Sequence, residues 1–178
     1  TTPTPAALPI VCSAPNAAIP VGGVVSDTIS VAATGLLIDL DVYLNVPHTW
    51  VGDLAISLDH VGGSGPVTIV DRPGNPASFF GCKGDDYDVT VNDEGPDGDI
   101  ETQCDNLPAI HGDRVGGDPA GAVLSTFDGD NFSGDWVLTV SDNAGGDLGS
   151  LVEWCLIPTG TNTQSQHQHL LLSRQHQR

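Results

Sequence analysis

The sequence predicts an all-β fold, an antiparallel sandwich or jelly roll of about eight strands, on three observations. The 178 residues include 22 glycines and 13 prolines, a composition that favours short strands joined by tight turns over helices. Apolar residues recur at every second position in several segments, and none shows the spacing of an amphipathic helix. At 39% hydrophobic residues the chain can bury the core of one domain of ordinary size.

Taken in order, residues 1–11, TTPTPAALPIV, are Thr/Pro-rich and read as an extended linker. In LLIDLDVYLNV (36–46), Ile38, Leu40, Val42, Leu44 and Val46 share one face and Asp39, Asp41, Tyr43 and Asn45 the other, which predicts a half-buried strand. HTWVGDL (48–54) follows as a corner. Leu54, Ile56 and Leu58 repeat the alternation, and the turn VGGSG leads into PVTIVD, so these two segments form a hairpin. DWVLTVSD (135–142) and LVEWCLI (151–157) are two further strands around the turn NAGGDLG. Residues 159–178 abandon the acidic composition, hold three of the six histidines and read as a polar tail; the domain is therefore expected to span 12–158. The tail segment TNTQSQHQHLLL has a composition that could add as a strand to a neighbouring sheet edge.

Charge narrows the function. All 23 acidic residues precede residue 159, where Arg72, Lys83 and Arg114 are the basic ones, a net of −20 with histidines neutral. Such a surface repels nucleic acid and anionic membranes, and no apolar run is long enough to predict a spanning helix. Carboxylates at this density repel one another, and hard oxygen donors suit Ca²⁺. The loop from Cys82 to Cys104 is the densest acidic stretch but departs from the EF-hand pattern at its glycine and at its twelfth position. An irregular calcium site is therefore expected, with Asp86, Asp93 and Glu94 as first candidates, Asp71 as a cross-loop partner, and Asp53 and Asp142 as further ligands.

The four cysteines allow three pairings. The nested one, Cys82–Cys104 inside Cys12–Cys155, suits a domain whose ends meet, with the inner bond pinning an acidic loop and the outer bond stapling the termini. By the chain-entropy estimate these bonds contribute at most roughly 3 and 5 kcal/mol. Disulfides imply a secreted, extracellular or cell-surface setting.

Catalysis finds little support. GGSGP (62–66) has Pro66 where a nucleophile elbow needs glycine, and it lies in a hairpin turn; HExxH is absent. His48 is expected to be a structural hydrogen-bonder, and Asp53 to organise a turn.

Set in order, HTWVGDLAISL, DRPG, GC and LSTFDGDNFSGDWVLTVSDNAGGDLGSLVEWCL resemble the P domain, or P/Homo B domain, that follows the catalytic domain of kexin- and furin-like proprotein convertases. The bacterial versions are closer still, sharing DRPG, the paired cysteines and the SDNAxGDxGxL ending. The resemblance covers about residues 12–158 and implies a jelly roll without catalytic residues that stabilises a neighbouring protease domain and influences its calcium and pH dependence. Carried over, its motif marks His48, Gly52, Asp53, Gly134, Trp136, Asp142, Asp147, Gly149 and Trp154 as fold-defining. The sequence departs from the motif at DHVGGSG, which replaces a Ser-Pro-x-Gly turn, and at Asp135, where Thr is common. Expected partners are a protease domain or identical subunits. The alternative function is a free-standing structural subunit of an extracellular layer or filament, its terminal extensions contacting neighbours.

Overall fold

The computed structural model describes residues 6–75, 77–104, 110–117, 121 and 123–163. They form a β-sandwich of eleven strands: β1 (Val11–Ser13), β2 (Ala17–Ile19), β3 (Val24–Val31), β4 (Leu37–Val46), β5 (Leu54–His60), β6 (Val67–Asp71), β7 (Tyr87–Val91), β8 (Ile110–Arg114), β9 (Gly134–Asp142), β10 (Gly149–Leu151) and β11 (Glu153–Gly160). Three 3-10 turns, Val51–Asp53, Ile100–Thr102 and Leu124–Phe127, are the helical elements among these residues.

One sheet has the order β1-β11-β4-β7-β8, the other β3-β9-β5-β6, and β10 pairs with β2 as a small third ladder. The period-two pattern drives this layering, because one face of each long strand must leave water. Leu40, Val42 and Leu44 of β4 and Trp154 and Leu156 of β11 join Ile56 and Leu58 of β5 and Trp136, Leu138 and Val140 of β9 in one buried cluster. Both buried indoles find acceptors, as buried N–H groups must. Trp136 Nε1 donates to the Phe132 carbonyl at 3.0 Å, and Trp154 Nε1 crosses between sheets to Asp27 at 2.8 Å.

Four features differ from expectation. There are eleven strands rather than eight, because short edge pieces such as β1, β2 and β10 carry too few residues to show a period. The sandwich is not wholly antiparallel: β7 and β8 pair in parallel, Tyr87 opposite Ile110. Ile38 is exposed and Leu37 buried, because the β4–β11 register shifts between Thr159 and Gly160 and an extra residue flips the alternation. The ordered sheet also runs past both expected edges: β11 continues to Gly160, Ala7 bridges to Thr161, and Leu8 packs in the core. The tail strand proposed from TNTQSQHQHLLL lies, beyond Thr163, outside the described residues.

Both disulfides have the nested pairing, Cys12–Cys155 and Cys82–Cys104. Cys12 sits directly opposite Cys155 in the β1–β11 ladder, so the outer bond fastens an edge strand of only three residues.

Candidate functional site

Acidic side chains gather in three places that bear on function. The first is the corner between β4 and β5. His48 is 1% exposed; its N–H donates to Asp86 Oδ1 at 2.9 Å, and its Nδ1 lies 2.8 Å from the Trp50 carbonyl. Its Nε2 is buried without a hydrogen-bond partner, 3.9 Å from Asp142 Oδ2. Asp142 is committed to the backbone: Oδ2 accepts from Gly22 N–H at 3.1 Å and Oδ1 from Ala144 N–H at 3.0 Å. The Asp53 main-chain carbonyl takes two donors of Asn143, at 2.8 and 3.1 Å.

The Asp53 carboxylate is different. The residue is 3% exposed, and no hydrogen bond from a described residue reaches its side chain. Burial raises its pKa, the nearby Asp142 and Asp147 raise it further, and His48 and Arg72 act the other way. It borders a cavity of about 440 Å³ lined by Trp50, Asp53, Phe80, Ala144, Gly145 and Asp147. Two glycines of the carried-over motif close the walls of this corner. A Cβ on Gly52 would lie 2.5 Å from Cys82 N, and one on Gly149 2.6 Å from the Pro47 carbonyl. Both are main-chain contacts that cannot yield, so these positions are fold-defining for steric reasons.

The second place is the turn between β5 and β6, facing the start of β9. His60 Nδ1 is 2.9 Å from Asp130 Oδ2, and its Nε2 is 3.2 Å from the Ser133 carbonyl. The imidazole stacks on Trp136, centroids 4.2 Å apart and planes within 6°. Asp130 also accepts from Ser64 N–H at 2.8 Å and Ser64 Oγ at 3.0 Å. Burial pushes the Asp130 pKa up, but the hydrogen bonds from His60 and Ser64 outweigh it and hold it below the usual range. Serine, histidine and aspartate thus meet, but in the wrong order for nucleophilic catalysis. The serine bonds the carboxylate, and the ring nitrogen that would take its proton faces a carbonyl.

The third place is the outer face of the five-stranded sheet. Asp39 of β4, Asp113 of β8, and Asp93 and Glu94 after β7 all lie close enough to act on Asp41 of β4. Burial first, and these neighbours second, raise the Asp41 pKa to about 6. Asp41 Oδ1 is buried and has no hydrogen-bond partner. Asp93 accepts from the N–H groups of Leu124 and Ser125 at 3.0 and 2.7 Å, which ties the patch to the 3-10 turn there.

The six expected ligands are therefore scattered. Asp93 and Glu94 belong to the sheet-face patch, Asp53 and Asp142 to the corner, and Asp86 receives the His48 N–H. Asp71 is exposed at the end of β6. Among the described residues, the only three potential ligand groups with atoms within 4.8 Å of one another are Cys12, Glu153 and Cys155, and those sulfurs are spent in a disulfide. Sequence reasoning missed Asp39, Asp41 and Asp113 as site candidates. The alternation had placed Asp39 and Asp41 on the polar face of β4; what it lacked was which loops fold over that face.

No protein-family model matches the chain, and no curated protein is similar to it. Solved structures are. The chain resembles the serine protease of Aeromonas sobria, at 18% identity and a TM-score of 0.53, over 89% of this chain and 27% of that one. In the complex of that protease with its chaperone, the match is 17% identical with a TM-score of 0.52, over 90% of this chain and 28% of the other. At this identity the likeness shows the fold alone. The chain spans just over a quarter of the length of the chains it matches. The two disulfides favour an oxidising, extracytoplasmic setting, and among the described residues no helix is long and apolar enough to cross a membrane.

Proposed function

We propose that this chain is a non-catalytic extracellular module of the P/Homo B type, accessory to a secreted protease and stabilised by calcium. The observation that carries the accessory reading is the match of about nine-tenths of the chain to about a quarter of a serine protease chain. A fold shared over that fraction fits one module of a larger enzyme. The His60–Asp130–Ser64 arrangement supports the non-catalytic part, because its hydrogen bonds leave neither a free base nor an activated hydroxyl.

Calcium belongs to the sheet-face patch in this reading. The donor chemistry suits a hard divalent cation: it consists of carboxylates alone, one oxygen, Asp41 Oδ1, is buried without a partner, and because no three of these groups lie within 4.8 Å of one another, an ion would draw them together. Asp39, Asp41, Asp93, Glu94 and Asp113 would hold the ion. When bound, calcium supplies positive charge against mutual repulsion. These residues supply anchorage on three segments, β4, β8 and the loop after β7, so binding would fasten those segments together.

The test has two arms. The full reading frame should encode a protease together with these residues; a frame without one overturns the accessory reading. The purified chain should melt at least several degrees higher in Ca²⁺ than in chelator, and should neither cleave casein nor be labelled by an active-site serine probe. An unchanged melt removes the calcium claim, and covalent labelling by the probe removes the non-catalytic one.

A further inference from the structure

The corner cavity combines carboxylates with aromatic rings. Its polar side chains are the carboxylates of Asp53 and Asp147. Asp147 is fixed by Thr49 Oγ1, which donates to it at 2.8 Å, while Asp53 has no donor. Trp50 Nε1 donates to the Phe80 carbonyl at 2.6 Å, and Ala144 N–H to Asp142, so neither donor is offered to the cavity. Two carboxylates in a strongly acidic body disfavour an anion. The other walls are aromatic. The hydrogen bond from Trp50 to the Phe80 main chain fixes that indole at the cavity, and Phe79 (82% exposed), Phe80 (64%) and Leu148 (67%) leave apolar surface around it.

Carboxylates facing aromatic rings are the chemistry that binds an organic cation, since the ring faces are electronegative and the carboxylates offer bidentate acceptors. A guanidinium satisfies both, being planar enough to stack and forked enough to bridge an acid. A metal ion fits less well, because aromatic walls offer it no ligand and Asp142 is already held by two N–H groups.

We infer that this corner is a docking pocket for an arginine side chain presented by a partner protein, with Asp53 and Asp147 as its charge partners and Trp50 and Phe80 as its aromatic walls. The choice of partner chemistry rests on charge complementarity. The described body is strongly acidic, and this is where an unpaired buried carboxylate and exposed aromatic surface coincide. The inference names the contact by which the proposed accessory module would grip its protease, yet the pocket can be tested without that protease.

The experiment is a ¹H–¹⁵N titration with N-acetyl-arginine amide, and with the neutral isostere N-acetyl-citrulline amide as control. Trp136 and Trp154 are fully buried, so the Trp50 indole signal reports on the corner by itself. The arginine amide should shift the Trp50 indole and the Gly145 amide saturably, with a Kd on the order of millimolar, and the citrulline amide should bind at least about tenfold more weakly. Asp53→Asn should abolish the shift, and Asp147→Asn should weaken it, which keeps the test intact if the first variant folds poorly. Asp128→Asn, an exposed acid beside the other patch, should leave it unchanged. Equal response to the two amides, no saturable shift up to about 50 mM, or full binding by both corner variants overturns the inference. Such a failure leaves the accessory reading standing, because that rests on the fold; a reading frame without a protease removes that reading and leaves the pocket.

Discussion

Among the described residues are two buried histidine–aspartate corners, and they are built to opposite ends. At His60 the polar groups are closely engaged: both ring nitrogens lie within hydrogen-bond distance of an oxygen, Asp130 has three partners, and the ring lies flat on Trp136. At His48, Nε2 is buried without a hydrogen bond and the Asp53 carboxylate has no donor. A saturated buried network locks two loops together, whereas an unsaturated one costs stability that a binding partner can recover. The contrast separates a corner that serves the fold from one available for recognition.

The largest effect should come from breaking the saturated corner. Asp130→Ala leaves His60 and two Ser64 donors without their acceptor and should cost about 3 kcal/mol, read as a lower urea midpoint with unchanged slope. At the open corner the sign should reverse. Asp53→Asn removes a buried carboxylate repelled by Asp142 and Asp147 and should leave stability unchanged or raise it by about 1 kcal/mol. If the two substitutions cost the same, the corners are not different in kind.

Acid titration sharpens the contrast further. The folded pKa of Asp130 is lowered, so the unfolded chain binds the proton more readily, and this stabilisation fades as pH falls through the folded value. Asp41 behaves oppositely. Its folded pKa of about 6 lies above the usual aspartate value of 3.8, so the native state holds the extra proton between them. In chelator its contribution should therefore weaken as pH rises from about 4 to about 6, by on the order of 1 kcal/mol after allowance for solvent screening. Asp41→Asn should flatten that slope and abolish the calcium-dependent rise in melting temperature, both measurable by thermal melts across pH. The smallest effect concerns Phe80→Ser. Because the side chain is largely exposed, stability should change by less than about 0.5 kcal/mol, while arginine-amide binding weakens measurably.

The long strands were legible because burial on one face writes itself into alternate positions. β4, β5, β6 and β9 stand close to where the pattern puts them, and the cysteine nesting follows from a domain whose ends meet. The parallel β7–β8 pair was not legible: its partners are separated by a loop carrying a disulfide, and nothing in the period of a strand tells which neighbour it will choose. Ile38 failed for a local reason, since one extra residue in a ladder reverses every parity beyond it. Of the sites, the HTWVGDL corner could be located but not characterised. Whether Asp53 is paired depends on Asn143, Asp142 and Asp147, some ninety residues on. The His60 network was invisible because Asp130 is seventy residues from its partner and no spacing encodes it.

The Cys12–Cys155 bond carries a mechanical consequence. It joins adjacent strands of one sheet, and just beyond it Ala7 and Thr161 lie paired side by side. Tension applied between the segments on either side of the domain would thus pass through one covalent bridge rather than across the hydrophobic core. Pulled in this way under oxidising conditions, the sandwich should extend by no more than its few terminal residues. Reduction should convert the same element into a zipper that opens from the three-residue edge strand inward.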